Sequence, residues 1–427
     1  MSTALGIDLG SSGLRAALLN ADGQQVWSGA LPYPGPFDQS DSWLTGTRAL
    51  LAAMPIALRR SIAAVAVDGT SGTLLLCDRN GRPLGDALPY HHRSPEQETR
   101  LRQLVAEDEG PAGSTSGSLA RALALLDGSG ATPAGPAPLL RHQADWLMGW
   151  LLGCWRWGEE GNNLRLGWRI AEGSWLEALT SRPWAEALPE VVSSGTILGT
   201  VGVQARADLG LEPGCLVVAG TTDANAAVLA ADLREGDGIT VLGTTIALKC
   251  RVEKPVQGAG ITMHRLGGHW LAGGASNAGC GVLDRELPGL DLTELSRQLD
   301  WRRPTGLDLL PLPGRGERFP DDDPHLEPRL NPRPVSDALY LQALLEGLTR
   351  IEARGWQRLK ALGAPPLRRV ITLGGGARNP QWRAMRQHHL GVPVLSRPDL
   401  LPAAGVARLA LAALTGQSSV PLFSSSR

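Results

Sequence analysis

The chain alternates short apolar runs with turns made of small and hydroxylated residues. Residues 4–7 and 14–20 are apolar runs of strand length, and the turn Asp8-Leu9-Gly10-Ser11-Ser12-Gly13 separates them. Apolar runs of this length, bounded by turn residues, are typical of β-strands. The pattern therefore predicts two strands joined by a tight turn, and a third strand over residues 24–29.

The same arrangement recurs along the chain. Strand-like runs precede four further turns, and these are Asp68-Gly69-Thr70-Ser71-Gly72-Thr73, Gly220-Thr221-Thr222-Asp223, Gly243-Thr244-Thr245 and Gly374-Gly375-Gly376-Ala377-Arg378-Asn379. Helical patterns lie between the strand units, and they cover 42–58, 145–157, 226–233, 336–362, 403–414 and a segment from Gln381. Asp41 or Ser42 is available to cap the first of these helices.

Each half of the chain thus carries strand–turn–strand units. We predict an internally duplicated α/β architecture with the ligand between the halves. The length of 427 residues also favours two domains. Residues 109–138 are rich in glycine, serine, alanine and proline, and 128–138 within them predicts a loose surface excursion. Residues 303–336 predict a loop, and the tail from Ser418 is predicted to fray.

Composition narrows the functional class. The formal net charge is −1, so no basic field indicates a nucleic acid or an anionic membrane as partner. The five cysteines are scattered and never form a Cys-x-x-Cys pair, which is typical of a reducing compartment. No apolar run reaches the length of about 18 residues that a membrane span needs. These features predict a soluble cytoplasmic protein. A metal site at His91-His92 or His388-His389 is a weaker alternative, because neither pair has metal-ligand spacing.

The glycine-rich turns are candidates for binding phosphate. Backbone N–H groups in such turns approach a phosphate closely because no side chain blocks them. Residues 10–13 and 243–245, one turn from each half, are the candidate cradles. The first is not a Walker-type loop, since no lysine follows its glycines and a strand-like run comes next. An ordinary hairpin remains the alternative.

Asp223 is the candidate general base for phosphoryl transfer, which needs a phosphate cradle, a metal ion and a base aligned with the attacking hydroxyl. It follows a strand and begins a predicted helix, whose N-terminus favours negative charge. An ordinary helix-capping aspartate is the alternative. Asp8, at the tip of the first strand, is the second carboxylate and the candidate to hold a metal ion through water or to orient a sugar hydroxyl.

Three other segments have candidate roles. Residues 374–379 would let a flat nucleotide base lie against backbone, with a simple glycine-rich connection as the alternative. Residues 68–73 would present hydroxyl and amide groups to a polyol, with a capped turn as the alternative. Residues 314–320 are either a loop at the domain interface or a solvated surface loop.

Together these segments resemble the FGGY family of carbohydrate kinases over essentially the whole chain. The motifs that carry the resemblance occur in the family's order, and they are residues 7–13, 220–223, 242–245, 316–320 and 374–379. Within the family, the chain is most similar to the short D-ribulose kinase branch of photosynthetic organisms, which was earlier labelled xylulose-kinase-like. Residues 67–73, Pro89-Tyr90 and 266–277 carry that finer likeness.

The resemblance implies two ribonuclease-H-like domains of the actin and sugar-kinase superfamily with a central cleft, and ATP and Mg²⁺ as cofactors. It implies a sugar-binding domain over 1–225, a nucleotide-binding domain over 226–401, and a C-terminal helix within 402–427 packed back on the first domain. The residues implied to face the sugar are Asp8, Ser11, Ser71, Gly72 and Asp223. Those implied to face the nucleotide are Ser12, Gly13, Gly243, Thr244, Gly375, Gly376 and Asn379, and Asp8 would also hold Mg²⁺ through water.

One departure from the family's pattern leaves the sugar contacts open. Larger members carry a Trp-x-Asp-x-Arg sugar-binding segment, whereas this chain has Pro89-Tyr90-His91-His92-Arg93, with His91 at the Asp position. The branch resemblance predicts ATP-dependent conversion of D-ribulose to D-ribulose 5-phosphate, with Asp223 and Asp8 as catalytic residues. The protein is expected to act as a monomer or homodimer on a small sugar. The alternatives are a kinase of D-xylulose or another small ketose, and a non-catalytic sugar or nucleotide sensor.

Overall fold

The structure is a computed structural model that describes residues 2–106, 111–128 and 137–416. It divides into two compact units. The first extends from the start of the chain to Asp232 and includes residues 265–268 and the described residues from Leu401, while the second contains residues 233–264 and 269–400. The functional boundary after residue 225 stays a prediction. Most of the glycine-rich segment 128–138 and the tail from Ser418 lie outside the described residues.

The first unit contains a mixed six-stranded sheet with the order β11-β12-β4-β1-β2-β3. β1, β2 and β3 pair antiparallel, whereas β1, β4 and β12 pair parallel. The strands of this unit are β1 (Thr3–Leu9), β2 (Leu14–Leu19), β3 (Gln25–Leu31), β4 (Ile62–Gly69), β5 (Leu74–Cys77), β6 (Leu139–His142), β7 (Trp157–Glu159), β8 (Trp168–Arg169), β9 (Ser174–Trp175), β10 (Glu190–Val192), β11 (Ile197–Thr200) and β12 (Leu216–Thr222).

Helices cover this sheet, and one predicted helix is divided. The helices are α1 (Ser40–Ala52), α2 (Ile56–Ser61), α3 (Glu98–Leu104), α4 (Ser118–Gly128), α5 (Gln143–Leu152), α6 (Glu160–Asn163), α7 (Glu177–Thr180), α8 (Val203–Leu209) and α9 (Asp223–Ala230). The prediction of one helix over 42–58 is wrong, because Pro55 disfavours a helical conformation at Met54 and starts α2 instead. Asp41 and Ser42 lie inside α1 and do not cap it.

The second sheet has the order β15-β16-β14-β13-β17-β18. Its strands are β13 (Asp237–Leu242), β14 (Ile246–Val252), β15 (Ile261–Leu266), β16 (His269–Ala275), β17 (Arg369–Leu373) and β18 (Val394–Ser396). The helices of the second unit are α10 (Cys280–Glu286), α11 (Leu292–Arg297), α12 (Asp337–Ala361) and α13 (Pro380–Leu390). The predicted helix over 336–362 is confirmed as α12, and the Ser336 side chain caps it by accepting the Leu339 N–H.

The two sheets repeat one arrangement. β3-β2-β1-β4-β12 in the first and β16-β14-β13-β17-β18 in the second both place three antiparallel strands beside two parallel ones. The predicted duplicated α/β class is therefore confirmed. Within the described ranges, no helix combines the length and apolar character needed to cross a membrane.

The last described helix, α14 (Pro402–Leu414), belongs to the first unit and packs against β1 and α9. The backbones meet so closely that only glycine fits at two positions. A Cβ atom on Gly6 would lie 1.9 Å from the Ala403 carbonyl oxygen, and one on Gly405 would lie 1.8 Å from that of Ala226. Because α9 begins at Asp223, α14 supports the helix that carries the candidate base.

Candidate functional site

Three parallel strands of the first unit end at one edge of the sheet, and each end carries polar residues. Asp8 on β1 pairs in register with Asp68 on β4, and Asp68 pairs in register with Thr221 on β12. Asp223 follows β12 directly as the first residue of α9. The sheet therefore brings the two predicted carboxylates, Asp8 and Asp223, to the same edge, with Asp68 on the strand between them.

Burial and mutual repulsion change the ionisation of this trio. The Asp68 side chain is fully buried, and the Asp8 side chain is 2% exposed. Burial, the charge of Asp8 and then the charge of Asp223 raise the pKa of Asp68 well above its usual range. Burial also raises the pKa of Asp8, but the hydrogen bond with Asp68 and the nearby Arg15 guanidinium oppose this shift. Asp68 is therefore the neutral member of the pair.

The hydrogen-bond pattern agrees with a proton held between Asp8 and Asp68. Asp8 Oδ1 and both carboxyl oxygens of Asp68 are buried, and none has a hydrogen-bond donor when both groups are counted as carboxylates. Buried polar atoms rarely remain unpaired, so a proton on Asp68 that is donated to Asp8 accounts for the arrangement. Arg15 Nη1 lies 3.4 Å from Asp8 Oδ2 on the other side.

Asp223 does not cap its helix. The N-cap of α9 is Thr222, whose Oγ1 accepts the Asn225 N–H at 3.3 Å. Asp223 Oδ1 accepts the Ala224 N–H at 2.7 Å and stays half-buried in the first helical turn. The capping alternative is therefore wrong for this residue. The positive end of the helix dipole stabilises its carboxylate form.

The first glycine-rich turn lies beside Asp8. Ser11 and Ser12 are exposed at its tip. A Cβ atom on Gly13 would lie 2.4 Å from the Leu31 carbonyl oxygen, so the turn sits directly on the end of β3. The Tyr33 hydroxyl donates to the Gly10 carbonyl at 2.8 Å and fixes the start of the turn.

The turn after β4 contains the other predicted sugar contacts. Ser71 is exposed, and Gly72 is buried with a φ of +97°, which an L-residue with a side chain rarely adopts. Below them, Thr70 Oγ1 contacts Thr73 Oγ1 at 2.6 Å and donates to Gln143 Oε1 at 2.8 Å. A buried polar scaffold therefore holds this turn.

The predicted nucleotide contacts of the second unit lie together at one edge of its sheet. β13 and β17 pair in parallel, so the turns that follow them at Gly243 and Gly374 are neighbours. A Cβ atom on Gly374 would lie 2.6 Å from the Leu242 carbonyl oxygen. Thr244 and Gly375 are exposed at this edge, and a Cβ atom on Gly376 would meet Leu242 Cβ at 2.8 Å.

Asn379 has a structural role at the same place. Its side-chain oxygen caps α13 by accepting the Trp382 N–H at 3.0 Å, and its amide nitrogen donates to Ser296 Oγ at 2.8 Å. An amide retains one further donor and one further lone pair. Contact with a nucleotide would therefore use that remaining capacity.

The interpretation of residues 314–320 as a solvated surface loop is wrong for Glu317, which is buried. Its side chain is 3% exposed and accepts hydrogen bonds from Ser276 Oγ at 2.5 Å and from the Asn277 N–H at 2.8 Å. Phe319 is also buried and packs in the core of the second unit. Although its composition is charged, this segment therefore anchors the end of β16.

A single carboxylate ligand for Mg²⁺ fits the first unit, and a protein cage does not. Among the residues that the structure describes, no group of three or more His, Cys, Asp or Glu side chains is placed to hold a metal ion. Mg²⁺ in kinase sites usually keeps several waters and binds one or two carboxylates and the substrate phosphates. Asp8 Oδ1, which has no donor apart from the proton of Asp68, keeps a lone pair that would accept a hydrogen bond from a magnesium-bound water.

Sequence reasoning missed Asp68 as a carboxylate and overlooked Tyr33, Gln143 and Arg121. A signal for Asp68 was present, because it ends an apolar run as Asp8 does. The other three gave no local signal, since their partners are 23, 73 and 49 residues away in the chain.

Known proteins with similar sequences include carbohydrate kinases. Residues 239–414 match the model of the C-terminal domain of the FGGY family of carbohydrate kinases. A xylulose kinase from Streptomyces coelicolor is 28% identical over 440 residues, which cover 97% of this chain and 89% of that protein.

Solved structures agree on the fold. The structure of xylulose kinase from Rhodospirillum rubrum superposes with a TM-score of 0.82 at 22% identity, over 99% of this chain and 92% of that one. Glycerol kinase from Plasmodium falciparum with ADP gives a TM-score of 0.81 at 18% identity, over 100% of this chain and 93% of that one. The chain therefore has the fold of these sugar kinases.

Proposed function

We propose that this chain, whose residues 239–414 match the model of the C-terminal domain of the FGGY carbohydrate kinases, transfers the γ-phosphoryl group of ATP to a hydroxyl of D-ribulose. The observation that carries the proposal is the convergence of Asp8, Asp68 and Asp223 at one sheet edge, beside the turn at residues 10–13. Three carboxyl groups at one edge, of which the middle one has a pKa well above its usual range, suit a site that binds a sugar hydroxyl and a metal ion.

Asp223 accepts the proton of the attacking hydroxyl in this proposal. The helix N-terminus makes it a weak base, but phosphoryl transfer through a loose transition state needs proton removal only late. Asp8, held between Arg15 and the proton of Asp68, orients the sugar. Mg²⁺, when bound through water to Asp8, would screen the charge of the phosphate oxygens.

The remaining predicted residues bind rather than react. Ser71 and Ser11 are exposed on the same unit as Asp8 and Asp223 and are proposed to donate hydrogen bonds to sugar hydroxyls. Ser12 and Gly13 are proposed to contact phosphate. In the second unit, the exposed edge formed by Thr244 and its neighbours is proposed to bind the nucleotide, and those neighbours are Gly243, Gly375, Gly376 and Asn379.

Replacement of the candidate base tests the kinase proposal. We expect Asp223→Ala to lower turnover by about 10²- to 10⁴-fold, the usual contribution of a general base, while ATP still binds. Asp22→Ala, in the exposed turn between β2 and β3, is the matched control and should retain full activity. ADP release in a coupled assay and ATP titration calorimetry measure the two effects. Negligible transfer by the unsubstituted chain would instead favour the sensor alternative.

A substrate panel tests the sugar. D-ribulose is proposed from the likeness of residues 67–73 and 266–277 to the short ribulose kinase branch. The 28% identical xylulose kinase favours D-xylulose as the second candidate. We expect kcat/KM to be highest for D-ribulose when the ketopentoses and glycerol are compared. Equal or better turnover of D-xylulose would overturn the ribulose assignment and leave the kinase proposal intact.

A further inference from the structure

Arg121 is a buried cation whose hydrogen bonds all reach backbone carbonyls near the proposed sugar site. It lies on α4 and is 1% exposed. Its Nε donates to the Gly72 carbonyl at 2.8 Å, and its Nη1 donates to the carbonyls of Tyr90 at 3.1 Å, His92 at 2.7 Å and Ser116 at 3.1 Å. One side chain therefore joins three separate segments of the first unit.

Burying a guanidinium is costly, so these contacts have to offset a large desolvation penalty. Burial and then the charge of Arg165 lower the pKa of Arg121 to about 10. An apolar side chain would fill the same space without that penalty. The role that best explains a cation at this position is structural, because Arg121 fixes the spacing between the turn at Gly72 and the segment at Tyr90–His92.

The turn at Gly72 packs directly against the guanidinium of Arg121. A Cβ atom on Gly72 would lie 2.6 Å from Arg121 Nη2. A second link reinforces the first, because the Tyr90 N–H donates to Thr73 Oγ1 at 3.1 Å. The turn and the segment after it are thus bonded at two points, one through a cation and one through a hydroxyl.

The scaffold continues to the first phosphate turn. Thr73 contacts Thr70, and Thr70 donates to Gln143. Gln143 Nε2 donates to the Tyr33 hydroxyl at 3.3 Å, which in turn donates to the Gly10 carbonyl at 2.8 Å. A hydrogen-bonded chain therefore runs from the segment at Tyr90 to the turn beside Asp8.

The exposed side of this scaffold presents groups that suit a polyol. Ser71 is exposed, and Tyr90 is 42% exposed with its ring edge-on to that of His91 at 5.1 Å. A hydroxyl, an imidazole and an aromatic ring offer hydrogen bonds and apolar contact together. Their separation depends on the backbone that Arg121 binds.

We propose that Arg121 is a positioning residue for the sugar, which holds the Ser71–Gly72 turn and the Tyr90–His92 segment at one spacing and so sets sugar affinity and selectivity. The inference rests on the proposed function for its substrate. Arg121 does not touch the reacting atoms, and its loss acts through the backbone of these two segments.

The test compares Arg121→Met with Arg121→Lys and with Arg102→Met. Arg102 is a matched control because its exposed pair with Glu98 lies on the neighbouring helix α3. We expect Arg121→Met to lower kcat/KM for D-ribulose by about 10- to 100-fold, as misplacement of a substrate by roughly 1 Å does, with the KM for ATP unchanged. Lysine keeps the charge but reaches fewer carbonyls, so Arg121→Lys should recover part of the loss.

Hydrogen exchange without substrate separates this inference from the proposed function. Faster amide exchange confined to peptides covering 70–76 and 88–93 supports the positioning role even if no sugar is phosphorylated. Thr73→Val, which removes only the second link, should give the same pattern more weakly and replaces Arg121→Met if that variant does not fold. Exchange that rises throughout the unit, or a sugar KM that stays unchanged while the KM for ATP rises, would overturn the inference.

Discussion

The buried ion pair between Glu352 on α12 and Arg386 on α13 should be the most sensitive point of the second unit. Both side chains are 1% exposed, and Arg386 donates to Glu352 through Nε at 2.6 Å and through Nη2 at 2.7 Å. Nη1 also donates to Thr372 Oγ1 on β17 at 2.8 Å. The substitution Arg386→Met removes all three bonds and leaves the Glu352 carboxylate buried without its cation.

The expected loss is large because solvent does not screen either charge. Breaking a buried pair by removing one partner costs about 3–5 kcal/mol. Thr240 Oγ1 still donates to Glu352 Oε1 at 2.5 Å, which favours the lower part of that range. Arg297→Met is the control, since its pair with Glu294 in the same unit is 72% and 56% exposed. Exposed pairs contribute about 0–1 kcal/mol.

Hydrogen exchange measures the effect where it arises. A loss of about 3–5 kcal/mol multiplies the opening constant by about 10² to 10³ or more, since each 1.4 kcal/mol is about tenfold. Peptides covering 369–373 and 380–390 should therefore exchange faster in Arg386→Met by that factor, and little in Arg297→Met. Weaker nucleotide binding should accompany this, because Asn379 caps the same helix α13. Equal exchange in the two variants would refute the reasoning.

Two further substitutions test packing and ionisation in the first unit. Gly405→Ala places a methyl group 1.8 Å from the Ala226 carbonyl oxygen and should destabilise the unit by about 1–3 kcal/mol or more. Gly85→Ala is the control and should not destabilise it, because a Cβ atom at that position would meet nothing within 4 Å. Thermal unfolding compares the two variants. Burial, and then the charge of Glu160, raise the pKa of Glu159 well above the usual carboxyl range. The native chain therefore keeps a proton that the unfolded chain releases above about pH 4.3, so stability should fall as the pH rises from there toward the folded pKa. Glu159→Gln should make that slope shallower in a series of melting temperatures between about pH 4 and 8, because Asp68, whose pKa is also raised, still contributes, and an unchanged slope would contradict the assignment.

The strand and turn pattern predicted much of the fold because its signals are local. Apolar runs ending in glycine and hydroxyl turns identify β1, β4, β12, β13 and β17, and all five end at the predicted turns. A local pattern also gives a wrong helix boundary where a single residue interrupts it. Proline at 55 divides a helix that apolar spacing alone extends to residue 58.

The burial of particular charged residues was not predictable from the sequence, because it depends on partners far along the chain. Glu317, Arg121 and Arg386 carry charged side chains, a type that is mostly exposed in proteins. Each is at most 3% exposed in the structure. Their partners come from other elements, such as Asn277 for Glu317, so no window of neighbouring residues reveals the burial.

The position of Asp68 follows from topology once the strand order is known. β1 and β12 both pair with β4 and lie on its two sides, so the strands that lead to Asp8 and Asp223 are about 9–10 Å apart, twice the usual strand spacing. Asp68, which is in register with Asp8 near the end of β4, therefore lies between them. Two buried carboxylates with the half-buried Asp223 beside them would repel one another, and this repulsion adds to burial in raising the pKa of the middle carboxyl group. The neutral Asp68 is thus a consequence of placing two carboxylates across one strand, and a site of this design needs an uncharged hydrogen-bond donor there.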